Sequence, residues 1–262
     1  MNLNMRKSFV LHSLVLILVA GCADDRAASL PGLAFGVKSH KSQRGEEKII
    51  GTSDLLPVTA NADNLPEEMR HLVDAVGQLN VGCTATHIGA GLILTAGHCI
   101  SQSPRSSTTS CRQLGVVWGN RGGNSKFTAS KCLEVKMRVY NDTLDYAILK
   151  VENPPEAFIP VELQKTDLPT QTTMLSFPRM RPLEWSGNCE VFSYDDPKRA
   201  LKKFFHSCDS ESGSSGAAIL SRESLRIVGV HNGASDEFNY GMFIAAIDGI
   251  AKLMPSQIEA TH

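Results

Sequence analysis

A serine set among small residues is the first place where this chain could do chemistry. It lies in Cys208-Asp209-Ser210-Glu211-Ser212-Gly213-Ser214-Ser215-Gly216-Ala217-Ala218-Ile219, where an apolar, strand-like run follows the loop. A serine hydroxyl is a weak nucleophile until a base removes its proton. Gly213 and Gly216 let the backbone turn tightly, so the N–H groups of Gly213 and Ser215 can point into one small space and hold an oxyanion. Alone, a Ser/Gly-rich segment reads as a loop. Two further segments change that reading. Leu94-Thr95-Ala96-Gly97-His98-Cys99 offers an imidazole in a tight turn of small residues, and Asp145-Tyr146-Ala147-Ile148-Leu149 offers a carboxylate at the head of an apolar strand. A buried acid needs a partner. The Nδ1–H of His98 is the natural one for Asp145, with Asp142 as the alternative acid.

The order His98, Asp145, Ser215 resembles that of chymotrypsin-type serine peptidases, and within them the bacterial branch that includes the glutamyl endopeptidases. The likeness runs from about residue 49 to about residue 254, and Asp-Tyr-Ala-Ile-Leu is the form that makes Asp145 the preferred acid. The resemblance implies an all-β fold of two antiparallel six-stranded β-barrels with a short C-terminal helix and the site in the cleft between them. It implies that His98, Asp145 and Ser215 are catalytic and that Gly213 and Ser215 form the oxyanion hole. Protein or peptide substrates would be hydrolysed without metal or organic cofactor. Ala217-Ala218 departs from the family's usual Gly/Ser-Pro after the nucleophile. The rival readings are a non-catalytic homologue acting as a binding module in the cell envelope, and an esterase using the same residues.

Specificity turns on Val228-Gly229-Val230-His231-Asn232-Gly233, which in the family lines the pocket for the residue before the scissile bond. His231 matches the histidine with which glutamyl endopeptidases hold a Glu carboxylate, and Ser210 falls where they carry a pocket Thr. Phe238-Asn239-Tyr240-Gly241 is similar to that branch too. An imidazole and a hydroxyl can both hydrogen-bond a carboxylate. Asp209 points the other way, because it stands where trypsin has the acid that binds Lys or Arg. Substrate contacts are therefore expected at His231, Ser210, Asp209, Asn232 and Gly233, with Glu or Arg/Lys preference open.

The chain begins like an exported protein. Arg6 and Lys7 precede an apolar run over residues 9–20, shorter than the roughly 20 residues that span a bilayer comfortably. Val19-Ala20-Gly21-Cys22 looks like a bacterial lipobox, which implies lipidation of Cys22 and anchoring in the bacterial envelope, at the outer membrane or the periplasmic face; secretion is the alternative. The expected organisation is a signal peptide over 1–21, a lipidated linker or propeptide over 22–48, and a peptidase domain over 49–262 with barrels at about 49–152 and 160–246. Glu46-Glu47-Lys48-Ile49-Ile50-Gly51-Thr52 resembles the junction at which zymogens of this family are cut, which suggests cleavage after Lys48; the plainer reading is that Ile49-Ile50 begins a strand. The position before the nucleophile is Ser214 rather than Asp, so the trypsin-type activation pair is absent or different.

A formal net charge of −1 over 262 residues gives no electrostatic footprint for nucleic acid. Of 7 cysteines, setting Cys22 aside leaves an even set in an exported chain, which points to disulfides. The family places a bridge at the spacing of Cys83 and Cys99, and sequence order then suggests Cys111–Cys132 and Cys189–Cys208. No pair has the short C-x₂-C spacing of a zinc site. The elements that must position the site are a short helix or turn over 66–74 capped by Asn64, and a strand over 75–79. A hairpin of 84–88 and 92–95 follows, then strands near 114–118, 131–140, 146–151, 172–176, 187–194, 227–231 and 240–245, with 203–207 leading into the loop that holds Ser215. A closing helix over 248–254 ends the domain.

Overall fold

The computed structural model describes residues 47–100 and 111–254. The export signal, the lipobox at Cys22 and the linker before residue 47 lie outside the described residues. Among the described residues no helix is long and apolar enough to cross a membrane.

Six strands close the first barrel: β2 (Val76–Leu79), β3 (Cys83–His87), β4 (Leu92–Thr95), β5 (Gly115–Trp118), β6 (Thr128–Tyr140) and β7 (Asp145–Val151), after a two-residue β1 (Leu56–Pro57) that belongs elsewhere. They pair antiparallel around the ring β2-β3-β4-β7-β6-β5. The second ring is β8 (Thr170–Ser176), β9 (Glu184–Ser193), β10 (Lys203–His206), β13 (Asn239–Phe243), β12 (Ile227–Ala234) and β11 (Ala218–Ser221), closed by the pairing of β8 with β9 and of β11 with β8. The expected all-β, two-barrel architecture is the observed one. The closing helix α1 is a single turn, Ile250–Leu253, shorter than expected, with Ile247, Ile250 and Met254 buried beneath it.

Each barrel fills its own interior. Leu79, Ile93, Val116, Trp118 and Leu149 pack inside the first, and Met174, Val191, Phe204, Ile219 and Phe243 inside the second. A third cluster joins the two, with Leu94 and Ile148 of the first barrel against Leu175, Val230 and Met242 of the second. Closure leaves no long unpaired edge in either ring. Three disulfides, Cys83–Cys99, Cys111–Cys132 and Cys189–Cys208, match the expected pairing.

Three local expectations differ. β1 pairs with β9, so the segment around Leu56 is an edge of the second barrel rather than part of the first. The turn over Glu67–Ala75 is a 3-10 helix with Pro66 at its N-cap, and Asn64 instead accepts from the Thr59 N–H. Ile49-Ile50 begins no strand; its backbone is held by side chains of the second barrel, as described next.

Candidate active site

His98 sits in a one-turn 3-10 segment, Gly97–Ile100, directly after β4. The turn is possible because Gly97 has no side chain: a Cβ there would lie 2.1 Å from the Val139 carbonyl oxygen and 2.9 Å from that of Tyr146. This close approach lays the turn against β6 and β7 and sets the imidazole beside Asp145, the first residue of β7. His98 Nδ1 is 2.7 Å from Asp145 Oδ2, and the His98 backbone N–H donates to Asp145 Oδ1 at 2.9 Å. One buried carboxylate thus holds both the ring and its own backbone. An acceptor at Nδ1 places the proton there and leaves Nε2 as the basic nitrogen.

The second barrel braces this pair. Asn232 Nδ2 donates to the Asp145 carbonyl at 2.7 Å, and the Asp145 N–H points at Met242 Sδ, 3.4 Å away. Asn232, expected among the substrate contacts, uses its amide nitrogen to tie β12 to β7, and its amide oxygen is buried with no hydrogen-bond partner among the described residues. Gly233 lies just past it, at the irregularity where β12 slips its register on β13.

Ser215 is buried at the end of the loop leading into β11. Its carbonyl accepts from the Thr84 N–H at 2.9 Å, and Thr84 Oγ1 donates to the Gly213 carbonyl at 2.8 Å, so a residue of β3 clamps both ends of the Gly213-Ser214-Ser215 segment. Gly216 is forced by that clamp. It has φ +85°, and a Cβ would stand 2.2 Å from Thr95 Oγ1 and 2.5 Å from the Thr84 carbonyl oxygen. The loop therefore packs on β4, just ahead of the turn that carries His98, and the Ser215 carbonyl lies 3.8 Å from Sγ of Cys99, the residue after His98. Among the described residues neither the Gly213 nor the Ser215 N–H has an acceptor, which leaves both donors for an oxyanion. The Ser215 hydroxyl donates to Glu47 Oε1 at 2.5 Å.

Two buried histidines, His206 and His231, pack against each other on the second barrel. His231, fully buried on β12, has Nδ1 3.0 Å from His206 Nε2 and Nε2 3.6 Å from Glu47 Oε1. Burial, and then the neighbouring His231, push the His206 imidazole well below its ordinary range, so it stays neutral. The two rings share this one hydrogen bond, whose direction follows their tautomers, and among the described residues His206 Nδ1 and His231 Nε2 are both buried without a hydrogen-bond partner.

Ser210 and Asp209 take up places different from those expected of simple pocket contacts. Ser210 Oγ donates to Asn239 Oδ1 at 3.0 Å. Asp209 accepts from the Ile50 N–H at 2.7 Å and the Asp54 N–H at 2.6 Å. Both of its carboxylate oxygens thus serve the chain's own backbone, and Asp209 is not a bare anion at the pocket base.

Sequence reasoning missed His206, Thr84 and Glu47 as site residues, and gave Asn239 no role beyond its place in Phe238-Asn239-Tyr240-Gly241. His206 and Thr84 carry no local motif and become visible only through strand register, His206 opposite Asn239 in the β10–β13 pair. Glu47 could have been suspected, since an acid precedes the junction already singled out. The only metal-capable group among the described residues is Cys83, His98 and Cys99, and the two sulfurs are spent on each other in a disulfide.

A model of the trypsin-like peptidase domain matches residues 83–230, which takes in His98, Asp145 and Ser215. The chain belongs to the trypsin-like peptidase family. Its fold is shared with a Glu endopeptidase solved in complex with MPD, at TM-score 0.59 and 20% identity, covering 82% of this chain and 99% of that one. The inactive form of the Rv3671c protease is similar at TM-score 0.51 and 15% identity, covering 71% of this chain and 92% of that one. No curated protein sequence is close enough to the chain to match it. A trypsin-like peptidase acts on proteins or peptides, and the two barrels meeting over this cleft are the frame on which that chemistry is built.

Proposed function

We propose that the chain is a serine endopeptidase that cleaves after glutamate. The observation that carries the reading is the Glu47 carboxylate, accommodated between Ser215 Oγ and His231 Nε2 beside a His98–Asp145 pair. In the proposed reaction Ser215 Oγ attacks the scissile carbonyl carbon and His98 Nε2 takes its proton. Asp145 keeps the imidazole in that tautomer and stabilises the imidazolium. The N–H groups of Gly213 and Ser215 receive the oxyanion, where one lost donor typically costs about 10²–10³ in rate. His98 returns the proton to the leaving amine, and water then hydrolyses the acyl-enzyme by the same relay. His231, oriented by His206, offers Nε2–H to the carboxylate of the residue before the scissile bond.

An Arg/Lys preference is the weaker reading, because Asp209 is already satisfied by two backbone N–H groups. Internally quenched peptides differing only in Glu, Gln, Asp or Lys before the cleaved bond test the assignment. Glu should lead by at least tenfold in kcat/KM, and a lead for Lys would overturn it. We propose further that the protein is exported and tethered to the bacterial envelope through lipid on Cys22. Metabolic labelling with a fatty acid should mark the wild-type chain and not Cys22→Ala; equal labelling would refute the anchor.

A further inference from the structure

The segment just ahead of Ile49 is seated where a substrate would sit. Only 6% of the Glu47 side chain is exposed, and its Oε1 accepts the Ser215 hydroxyl. Its second oxygen, Oε2, is buried and has no hydrogen-bond partner among the described residues. Lys48 is pinned on both sides of its backbone. Its N–H lies 3.0 Å from Asn239 Oδ1 and 3.3 Å from Ser210 Oγ, while its carbonyl accepts from Asn239 Nδ2 at 2.7 Å and from the Ser210 N–H at 3.1 Å. Asp209 then holds the backbone at Ile50 and Asp54. Three side chains, those of Asp209 and Ser210 and that of Asn239 on β13, are thus occupied with this strip of chain.

A buried carboxylate on the nucleophile's hydroxyl has two consequences. It occupies the space into which a substrate carbonyl must come. It also gives the hydroxyl an acceptor other than the imidazole. The seated arrangement does not cut itself, because the Glu47 side-chain carboxyl, rather than its peptide carbonyl, faces Ser215.

We propose that Glu47 is an internal latch that keeps the full chain latent, and that hydrolysis of the Glu47–Lys48 bond by a second copy releases it. This rests on the glutamyl-endopeptidase reading above. In the step water adds across the amide: the C–N bond breaks, Glu47 keeps a new α-carboxylate, and the Lys48 nitrogen leaves as an amine. The bond singled out lies one residue before the one suggested by the sequence junction. The Lys48 backbone is held at both its N–H and its carbonyl, so the choice between the two bonds rests on the side chain, and it is Glu47 whose carboxyl lies between Ser215 Oγ and His231 Nε2. Because Glu47 must first leave its seat, the first cut is slow and later cuts are fast.

The test follows hydrolysis of a glutamyl peptide by freshly purified full chain, with N-terminal sequencing in parallel. Wild type should show a lag that shortens as enzyme concentration rises, and active samples should begin at Lys48. Glu47→Ala should show an initial rate at least tenfold above that of uncut wild type, with an unchanged melting temperature; Glu47→Gln, which keeps an acceptor but no charge, should fall between. A Glu47→Ala rate equal to that of uncut wild type would overturn the latch. Full activity from time zero with the Glu47–Lys48 bond intact would overturn it while leaving the glutamyl reading in place. Scission after Glu46, which leaves Glu47 seated, would refute the release step if it gave full activity. Absence of glutamyl hydrolysis in every sample would sink the functional reading, and the latch with it.

Discussion

Asp145→Asn removes half of what Asp145 does, and the geometry says which half matters. The carboxylate accepts twice, from the His98 N–H at 2.9 Å and from His98 Nδ1 at 2.7 Å. An amide has one acceptor oxygen. If that oxygen stays on the backbone N–H, the amide NH₂ faces Nδ1, which must then become an acceptor. The imidazole proton moves to Nε2, and the nitrogen that should take the Ser215 proton already carries one. If the amide turns the other way, the His98 backbone loses its acceptor and the NH₂ is driven against an N–H. Either arrangement leaves the pocket intact and disables the base. The expected loss is about 10⁴ in kcat, or ~5 kcal/mol of barrier, with KM within a few-fold of wild type. Steady-state hydrolysis of a quenched glutamyl peptide at pH 7.5 reads it directly. A loss below tenfold in a variant that melts like wild type would refute this role for Asp145.

Gly216→Ala should destabilise the fold by a few kcal/mol and misplace Ser215, because its Cβ meets Thr95 and Thr84 at a positive φ; a wild-type melting temperature would contradict the clamp. His206 binds a proton less readily folded than unfolded, so its contribution to stability is present above the unfolded value of about 6.5 and is lost as pH falls below it. The loss approaches about 1.4 kcal/mol per pH unit. His87 acts in the same direction, its proton affinity lowered chiefly by burial. Denaturant melts between pH 7.5 and 5 should show the decline, shallower in His206→Gln. Replacing Cys189 and Cys208 by Ser opens a loop with a sequence separation of 19 that ends beside Asp209, and should cost about 3 kcal/mol in chemical unfolding. A change under 0.5 kcal/mol would mean that the bridge does not hold the pocket wall.

The parts of this account that were legible in the sequence are those written into short contiguous runs. The turn around His98 needs Gly97 for close packing, the strand after Asp145 is apolar throughout, and the loop before Ala217 needs Gly216; each leaves a local signature. The barrels follow from strand-length runs separated by turn residues. The rest depends on register and on distant backbone. Nothing near Asn232 indicates that its amide would reach back to Asp145. His206 lies in a strand whose neighbours are aromatic, and its meeting with His231 is set by how β10, β13 and β12 align. Asp209 was readable as a specificity acid because sequence position does not reveal that Ile50 and Asp54 point their N–H groups at it. The same holds for β1, whose two residues join the second barrel across a long stretch of chain.

The relay itself is tested most directly by mapping a fluorophosphonate adduct by mass spectrometry on chain already processed to activity. One adduct is expected, on Ser215, absent in Ser215→Ala and formed at least about 10³-fold more slowly in His98→Ala. An adduct on another residue, or a His98→Ala chain that labels at the wild-type rate, would contradict it.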